Sequence, residues 1–307
     1  MIFYRQRSEW FIFLFLTMLL ALVSACGNAS LASNTNGGAH MVQVVAAENF
    51  YGDVARQVGG EHVSVTSILS DPNIDPHTFQ SNVQTGITVS RANLVIENGG
   101  GYDSWMDTIL SSVPDGNRLL LKGFDLSDSH HRLPENEHVW YSFDTIVTIA
   151  QAITADLKKL DPRDTTTFEN NLQVFKQSVQ PLQQKLATLK EKYNGTPVGL
   201  TETMYLYQTG PAGLRVLTPF EFEKAVAEAN DPPAEAVIAA TNQIDQHQIK
   251  VLIYNEQTVT PITTNLKDRA LARHIPLVPI TETMPAGKTY QTWMMGQLNT
   301  LQTALGG

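Results

Sequence analysis

The chain has 307 residues, 42% hydrophobic and 17% charged, enough apolar material for one large or two ordinary globular domains and too much for a disordered protein. Its formal charge is -9, with no clustered Lys and Arg, which excludes a nucleic-acid partner and fits a cationic ligand better.

At the start of the chain, Arg5 and Arg7 precede the apolar run Trp10 to Leu22, and Val23-Ser24-Ala25-Cys26 follows. This order of charge, apolar run and small residues predicts a secretory lipoprotein signal over residues 1–25 that ends at Cys26. The apolar run is shorter than the roughly 20 residues of a membrane span, although a retained anchor helix is the alternative reading. Cys26 is the only cysteine, so no internal disulfide forms, and its place at the junction marks it as the lipid-attachment residue. Residues 26–41 are rich in Ser, Asn, Ala and Gly and read as a flexible tether.

From residue 42 the pattern alternates. Val42 to Ala46 reads as a strand, Glu48 to Val58 as a helix, His62 to Leu69 as a strand and Asn82 to Ser90 as a helix. Leu94 to Ile96 is a short buried strand that runs into Asn98-Gly99-Gly100-Gly101. Phe143 to Leu160 is an amphipathic helix stopped by Asp161-Pro162, and Asp164 to Lys192 continues for almost thirty residues, with a bend or break expected at Pro181. A second set follows: a strand at Pro197 to Leu200, helices at Glu221 to Asn230 and Val237 to Asp245, a strand at Val251 to Tyr254 and a helix at Leu266 to His274. The expected architecture is α/β: an N-terminal lobe at 42–163, a connecting helix at 164–193 and a C-terminal lobe at 194–307.

Ligands of open α/β sheets sit beyond the carboxyl ends of strands, which directs attention to side chains just after Leu69, Leu200 and Ile280. His77, in Asp75-Pro76-His77, sits on a loop stiffened by prolines and is a candidate metal ligand, with an ordinary surface histidine as the alternative. His138, in Glu137-His138-Val139-Trp140, precedes a helix that Ser142 or Asp144 can cap, and is either a second imidazole ligand or a histidine packed against Trp140.

With Asp75-Pro76-His77-Thr78-Phe79, the stretch from Ala92-Asn93-Leu94-Val95-Ile96 through Asn98-Gly99-Gly100-Gly101-Tyr102-Asp103-Ser104-Trp105, and His138-Val139-Trp140 in this order, the chain resembles the zinc and manganese type of metal-binding proteins that serve bacterial ABC importers. The resemblance runs from about Val42 to Leu305. It implies a third ligand followed by a small residue two on, an aromatic three on and a tyrosine five on; Glu202 fits through Tyr205 and Tyr207, with Met204 where a smaller residue is usual. It also implies a carboxylate after the last strand, usually Asp. Glu282 stands there, ahead of Gly287-Lys288-Thr289-Tyr290 and a terminal helix from Gln291 to Leu305. Glu256 matches a family position of structural rather than ligating character. His130 and His131 occupy the place of the family's histidine-rich loop and read as solvated surface, while His40, His62, His247 and His274 match no ligand position.

The resemblance therefore implies a non-enzymatic, extracytoplasmic substrate-binding protein, lipid-anchored to the outer face of the cell membrane through Cys26 and expected to be a monomer. It would hold a divalent transition metal (manganese or zinc, with iron possible) between two lobes on His77, His138, Glu202 and Glu282 and deliver it to a membrane permease. Two carboxylates tilt the expected ion towards manganese, whereas the Irving-Williams order favours zinc. The long helix implies release by local movement rather than wide hinge opening. The competing readings are a metal-dependent hydrolase with Glu282 as base, and a surface adhesin or organic-solute binder lined by Trp105, Trp140 and Trp293, for which core packing is the simpler account.

Overall fold

Valine-rich Val42–Glu48 forms β1, and all of its side chains except Gln43 are buried, as a parallel strand covered on both faces requires. The computed structural model describes residues 41–71, 74, 79–114, 116–127 and 132–306. The signal and tether with Cys26, the segment Asp75-Pro76-His77-Thr78, and His130 with His131 lie outside the described residues.

Helix α1 (Asn49–Gly59) follows β1 directly and leads to β2 (Val63–Leu69). Then come α2 (Val83–Ser90), β3 (Leu94–Glu97), α3 (Ser104–Ser112), β4 (Leu119–Lys122) and the single turn α4 (Gly123–Leu126). Asn82 starts α2 with a reciprocal cap: its side chain accepts from the Thr85 amide. The four strands are all parallel, in the order β2-β1-β3-β4.

Ser142 caps α5 (Phe143–Leu160) by accepting from the Thr145 amide, and Asp161-Pro162 ends the helix. Helix α6 (Thr165–Tyr193) runs for 29 residues, about 44 Å at the usual rise. It is not broken at Pro181. Pro181 and Gln177, the residue whose carbonyl loses its helical donor, are both exposed, so water can take that carbonyl.

The second half repeats the first. It runs β5 (Pro197–Leu200), the single turn α7 (Leu206–Thr209), β6 (Arg215–Val216), α8 (Phe220–Ala227), α9 (Ala234–Asp245), β7 (Leu252–Asn255), α10 (Pro261–Ala272), β8 (Leu277–Ile280) and α11 (Tyr290–Ala304). Its parallel sheet has the order β6-β5-β7-β8, the same topology as the first. In each sheet the order reverses beside the first strand of the set, which places a crevice at the carboxyl ends of β1 and β3 and of β5 and β7.

Residues 41–307 form one compact unit. One hydrophobic core crosses both halves, joining Phe50 and Trp140 to Phe175 on α6, Leu200 on β5 and Tyr290 and Met294 on α11. Helix α6 packs on α1, α5 and α11, so it touches elements on both sides of itself in the chain. Among the described residues, no helix is long and apolar enough to cross a membrane.

Candidate metal centre

Strands β5, β7 and β8 are parallel neighbours, so the residues at their carboxyl ends emerge along one edge of the second sheet. Glu202 lies two residues past β5, Asn255 is the last residue of β7, and Glu282 lies two residues past β8. The Asn255 side-chain amide donates to Glu202 Oε2 at 2.9 Å and to Glu282 Oε1 at 2.6 Å, so one nitrogen holds both carboxylates. All three residues are buried. Two buried carboxylates side by side repel each other strongly unless donors or a cation offset their charge.

His138 comes to the same place from the loop before α5. Its ring is fully buried, and Nε2 lies 3.9 Å from Glu282 Oε2. Asn136 orients it: Oδ1 accepts the His138 backbone N–H at 3.1 Å and sits 3.0 Å from ring Nδ1. A carbonyl oxygen can only accept, so Nδ1 carries a proton and Nε2 is the nitrogen that faces Glu282. The Asn136 amide also donates to the Thr203 carbonyl at 2.7 Å, beside Glu202, and Tyr207 donates to the Asn136 carbonyl at 3.0 Å. The tyrosine five positions after Glu202 thereby braces the loop that carries His138.

The first sheet adds Tyr102, whose hydroxyl donates to Glu282 Oε2 at 2.9 Å. It follows Gly99, Gly100 and Gly101, all with positive φ; a Cβ at Gly100 would also fall 2.7 Å from the Phe124 ring. The Asp103 carboxylate closes this turn by accepting the amides of Asn98 at 2.6 Å and Gly99 at 2.8 Å. Asn98 accepts from Tyr51 at 2.7 Å and donates to the Glu137 carbonyl at 3.0 Å, next to His138. Burial and the nearby Asp103 push the Glu48 carboxyl well above the usual carboxylate range, and burial also raises Asp103. Glu97 is pushed up to about 7 by burial, against the opposing ammonium of Lys122 at 2.5 Å.

Two further amides fix the loop that carries Glu282. Gln257 Oε1 accepts the N–H groups of Glu282 at 2.6 Å and Thr283 at 3.0 Å, while its Nε2 donates to Thr283 Oγ1 at 2.9 Å and to the Ile74 carbonyl at 3.0 Å. Ile74 lies three residues before His77. Asn49, at the start of α1, exchanges two hydrogen bonds with the Met284 backbone, donating at 2.6 Å and accepting at 2.9 Å.

Three of the four expected ligand positions therefore meet: His138, Glu202 and Glu282. The fourth, His77, lies outside the described residues. Among the described residues, no group of three or more His, Cys, Asp or Glu side chains is placed to hold a metal ion: His138 lies near Glu282, and Glu202 joins Glu282 through Asn255. Glu256 is exposed, and its carboxylate accepts from the Tyr254 hydroxyl at 3.5 Å. Trp140 and Trp293 are core residues, Trp140 stacking on Phe50 at 4.5 Å, and half-buried Trp105 packs against Phe79. His62 pairs with Asp164 at 2.8 Å, away from the centre. Sequence reasoning missed Asn255, Asn136, Gln257 and Tyr102. The signal for Asn255 was present, since it ends a central strand at the ligand-binding edge.

The chain matches the ZnuA family, zinc-uptake complex component A, periplasmic, over residues 44–304. The metal ABC transporter substrate-binding lipoprotein ScbA of Streptococcus cristatus is 26% identical over 191 residues, covering 59% of this chain and 60% of that protein. The manganese ABC transporter substrate-binding lipoprotein scaA of Streptococcus gordonii is 25% identical over 191 residues, with the same coverage of 59% and 60%. The chain thus spans 60% of the length of these curated relatives. The solved periplasmic zinc-binding protein TroA from Treponema pallidum superposes with a TM-score of 0.74, covering 87% of this chain and 100% of that chain at 18% identity, which shows a shared fold.

Proposed function

The chain belongs to the ZnuA family of periplasmic zinc-uptake components, and from that membership we propose that it captures a divalent transition metal outside the cytoplasm and delivers it to the membrane permease of an ABC importer. The cargo is zinc or manganese, with iron as a further candidate. The family is a transport component and not an enzyme family, which removes the hydrolase reading.

In this proposal the ion sits on His77, His138, Glu202 and Glu282. One observation carries it: a single amide nitrogen holds Glu202 and Glu282 together while His138 Nε2 stands 3.9 Å from Glu282 Oε2. Metal-to-nitrogen and metal-to-oxygen bonds are each about 2.1 Å, so two donors at this separation reach one ion at a wide angle without moving. An ion there would offset the charge of two buried carboxylates. The bond from Gln257 to the Ile74 carbonyl supports His77 as the remaining donor, because it ties the start of the His77 loop to the backbone of Glu282. Attachment through a lipid at Cys26 and action as a monomer belong to the same proposal.

Metal-free protein titrated with zinc and with manganese, followed by elemental analysis, tests it. One ion per chain is expected. His77→Ala, His138→Ala, Glu202→Gln and Glu282→Gln should each weaken binding by about 100-fold or more, beyond the 10- to 100-fold cost of removing a residue that only orients a ligand. Full-affinity binding that survives all four substitutions would overturn the assignment.

A further inference from the structure

Three residues past His138, Tyr141 ends the short helical turn Val139–Tyr141, and its side chain is buried. Its backbone N–H donates to the His138 carbonyl at 3.1 Å. At the far end of the ring, its hydroxyl donates to the Thr281 carbonyl at 2.6 Å, with Gln297 Oε1 of α11 3.0 Å away. Thr281 is the residue before Glu282. One tyrosine therefore runs from the backbone of His138 to the backbone beside Glu282.

The ring between these two ends is held on two sides. Tyr205, three residues past Glu202, stands edge-on to it at 5.9 Å and 68°, and Trp293 of α11 does so at 5.9 Å and 70°. Trp293 Nε1 also donates to Thr281 Oγ1 at 3.0 Å, so the residue that accepts the Tyr141 hydroxyl is itself fixed. Burial pushes the Tyr141 phenol well above its ordinary range, so the hydroxyl keeps its hydrogen and stays a donor. A tyrosine has only two side-chain torsions, and packing on two sides with a bond at the tip restrains both. We propose that Tyr141 is a positioning residue, a strut that sets the separation of His138 from Glu282. This rests on His138 and Glu282 taking part in metal capture, and on neither the number nor the identity of the other donors.

Tyr141→Phe removes the hydroxyl and keeps the ring. The comparison is Tyr290→Phe, because Tyr290 donates to the Trp140 carbonyl of the same turn at 2.6 Å and its loss leaves the bond to Thr281 uncut. Both variants should be less stable in urea, since each leaves a buried carbonyl without its donor. Titration of metal-free protein with zinc and with manganese should then separate them: Tyr141→Phe weakens binding by roughly 10-fold or more, and Tyr290→Phe by much less. An equal loss in the two variants, or wild-type affinity in Tyr141→Phe, overturns the proposal. In wild type, saturating zinc should slow hydrogen exchange at the Tyr141 backbone amide by about 10-fold or more. Unchanged exchange there overturns the proposal even where a variant fails to fold. If His138→Ala and Glu282→Gln bind metal as well as wild type does, the ligand reading itself has failed; if they lose it while Tyr141→Phe does not, only the strut has failed.

Discussion

Glu48 closes β1 with its carboxyl fully buried beside Asp103, and burial raises its pKa well above 4.5, so the folded protein holds this proton more tightly than the unfolded chain does. Asp103 has two backbone N–H donors, so it is the better carrier of the charge, and the proton on Glu48 lies between the two carboxyls. The pair fixes the turn that sends Tyr102 to Glu282. Since the folded state binds more protons than the unfolded chain, this stability is complete below about pH 4.5 and declines as pH rises towards the folded pKa. Glu97 and Glu223, both raised by burial, act in the same direction. Urea unfolding should therefore show stability falling as pH rises from about 4.5 to about 7, the interval that Glu97 sets, each such group contributing up to about 1.4 kcal/mol per pH unit. Glu48→Gln, which keeps a donor for Asp103, should flatten that slope; stability that climbs over the same interval in wild type would contradict the assignment.

At the level of elements, the loops after β2, β7 and β8 are fastened to one another through Gln257. Its side chain joins the backbone of Glu282 and Thr283 to the Ile74 carbonyl, so the segments carrying two proposed ligands move apart only if these bonds break. Gln257→Ala should speed metal loss to a chelator by roughly 10- to 100-fold, with little change in the rate of capture. Stopped-flow chelation measures this directly, and equal release rates would remove Gln257 from the account. Most of these elements were legible beforehand, because α1, α5, α6 and β1 carry long periodic patterns and Ser142 and Asp161-Pro162 mark their ends. Helix α3 and strand β4 were not, since a four-residue apolar run such as Leu119–Lys122 has no period to read. Among the site residues, His138 was visible from the chemistry of its neighbourhood, whereas Glu202 and Glu282 needed the family pattern to set them apart from other acids beyond strand ends. Asn255 and Gln257 escaped notice because neutral amides beyond a strand resemble ordinary turn formers. Glu256 drew attention by its charge, but side chains at a strand end alternate in direction, and the inward place belongs to Asn255.

Taken whole, the molecule is two sheets of identical topology that share one apolar core, with α6 packed on both halves and α11 packed on α1. Domains that move freely meet across small, polar surfaces; a continuous core including Phe50, Phe175, Leu200 and Tyr290 is the opposite case. The halves should therefore unfold together, and a metal held at their junction should stabilise both at once. At a free metal concentration 100 times the dissociation constant, linkage adds about 2.7 kcal/mol, which for a chain of this size raises the melting temperature by roughly 5–10 °C. Calorimetry should show one transition shifting as a unit, and solution scattering should show the radius of gyration almost unchanged on loading, because the loops at the strand ends can yield while the core cannot. Two separate transitions, or a marked compaction when metal is added, would mean that the shared core is a weaker link than its burial implies and that capture works by closing a hinge.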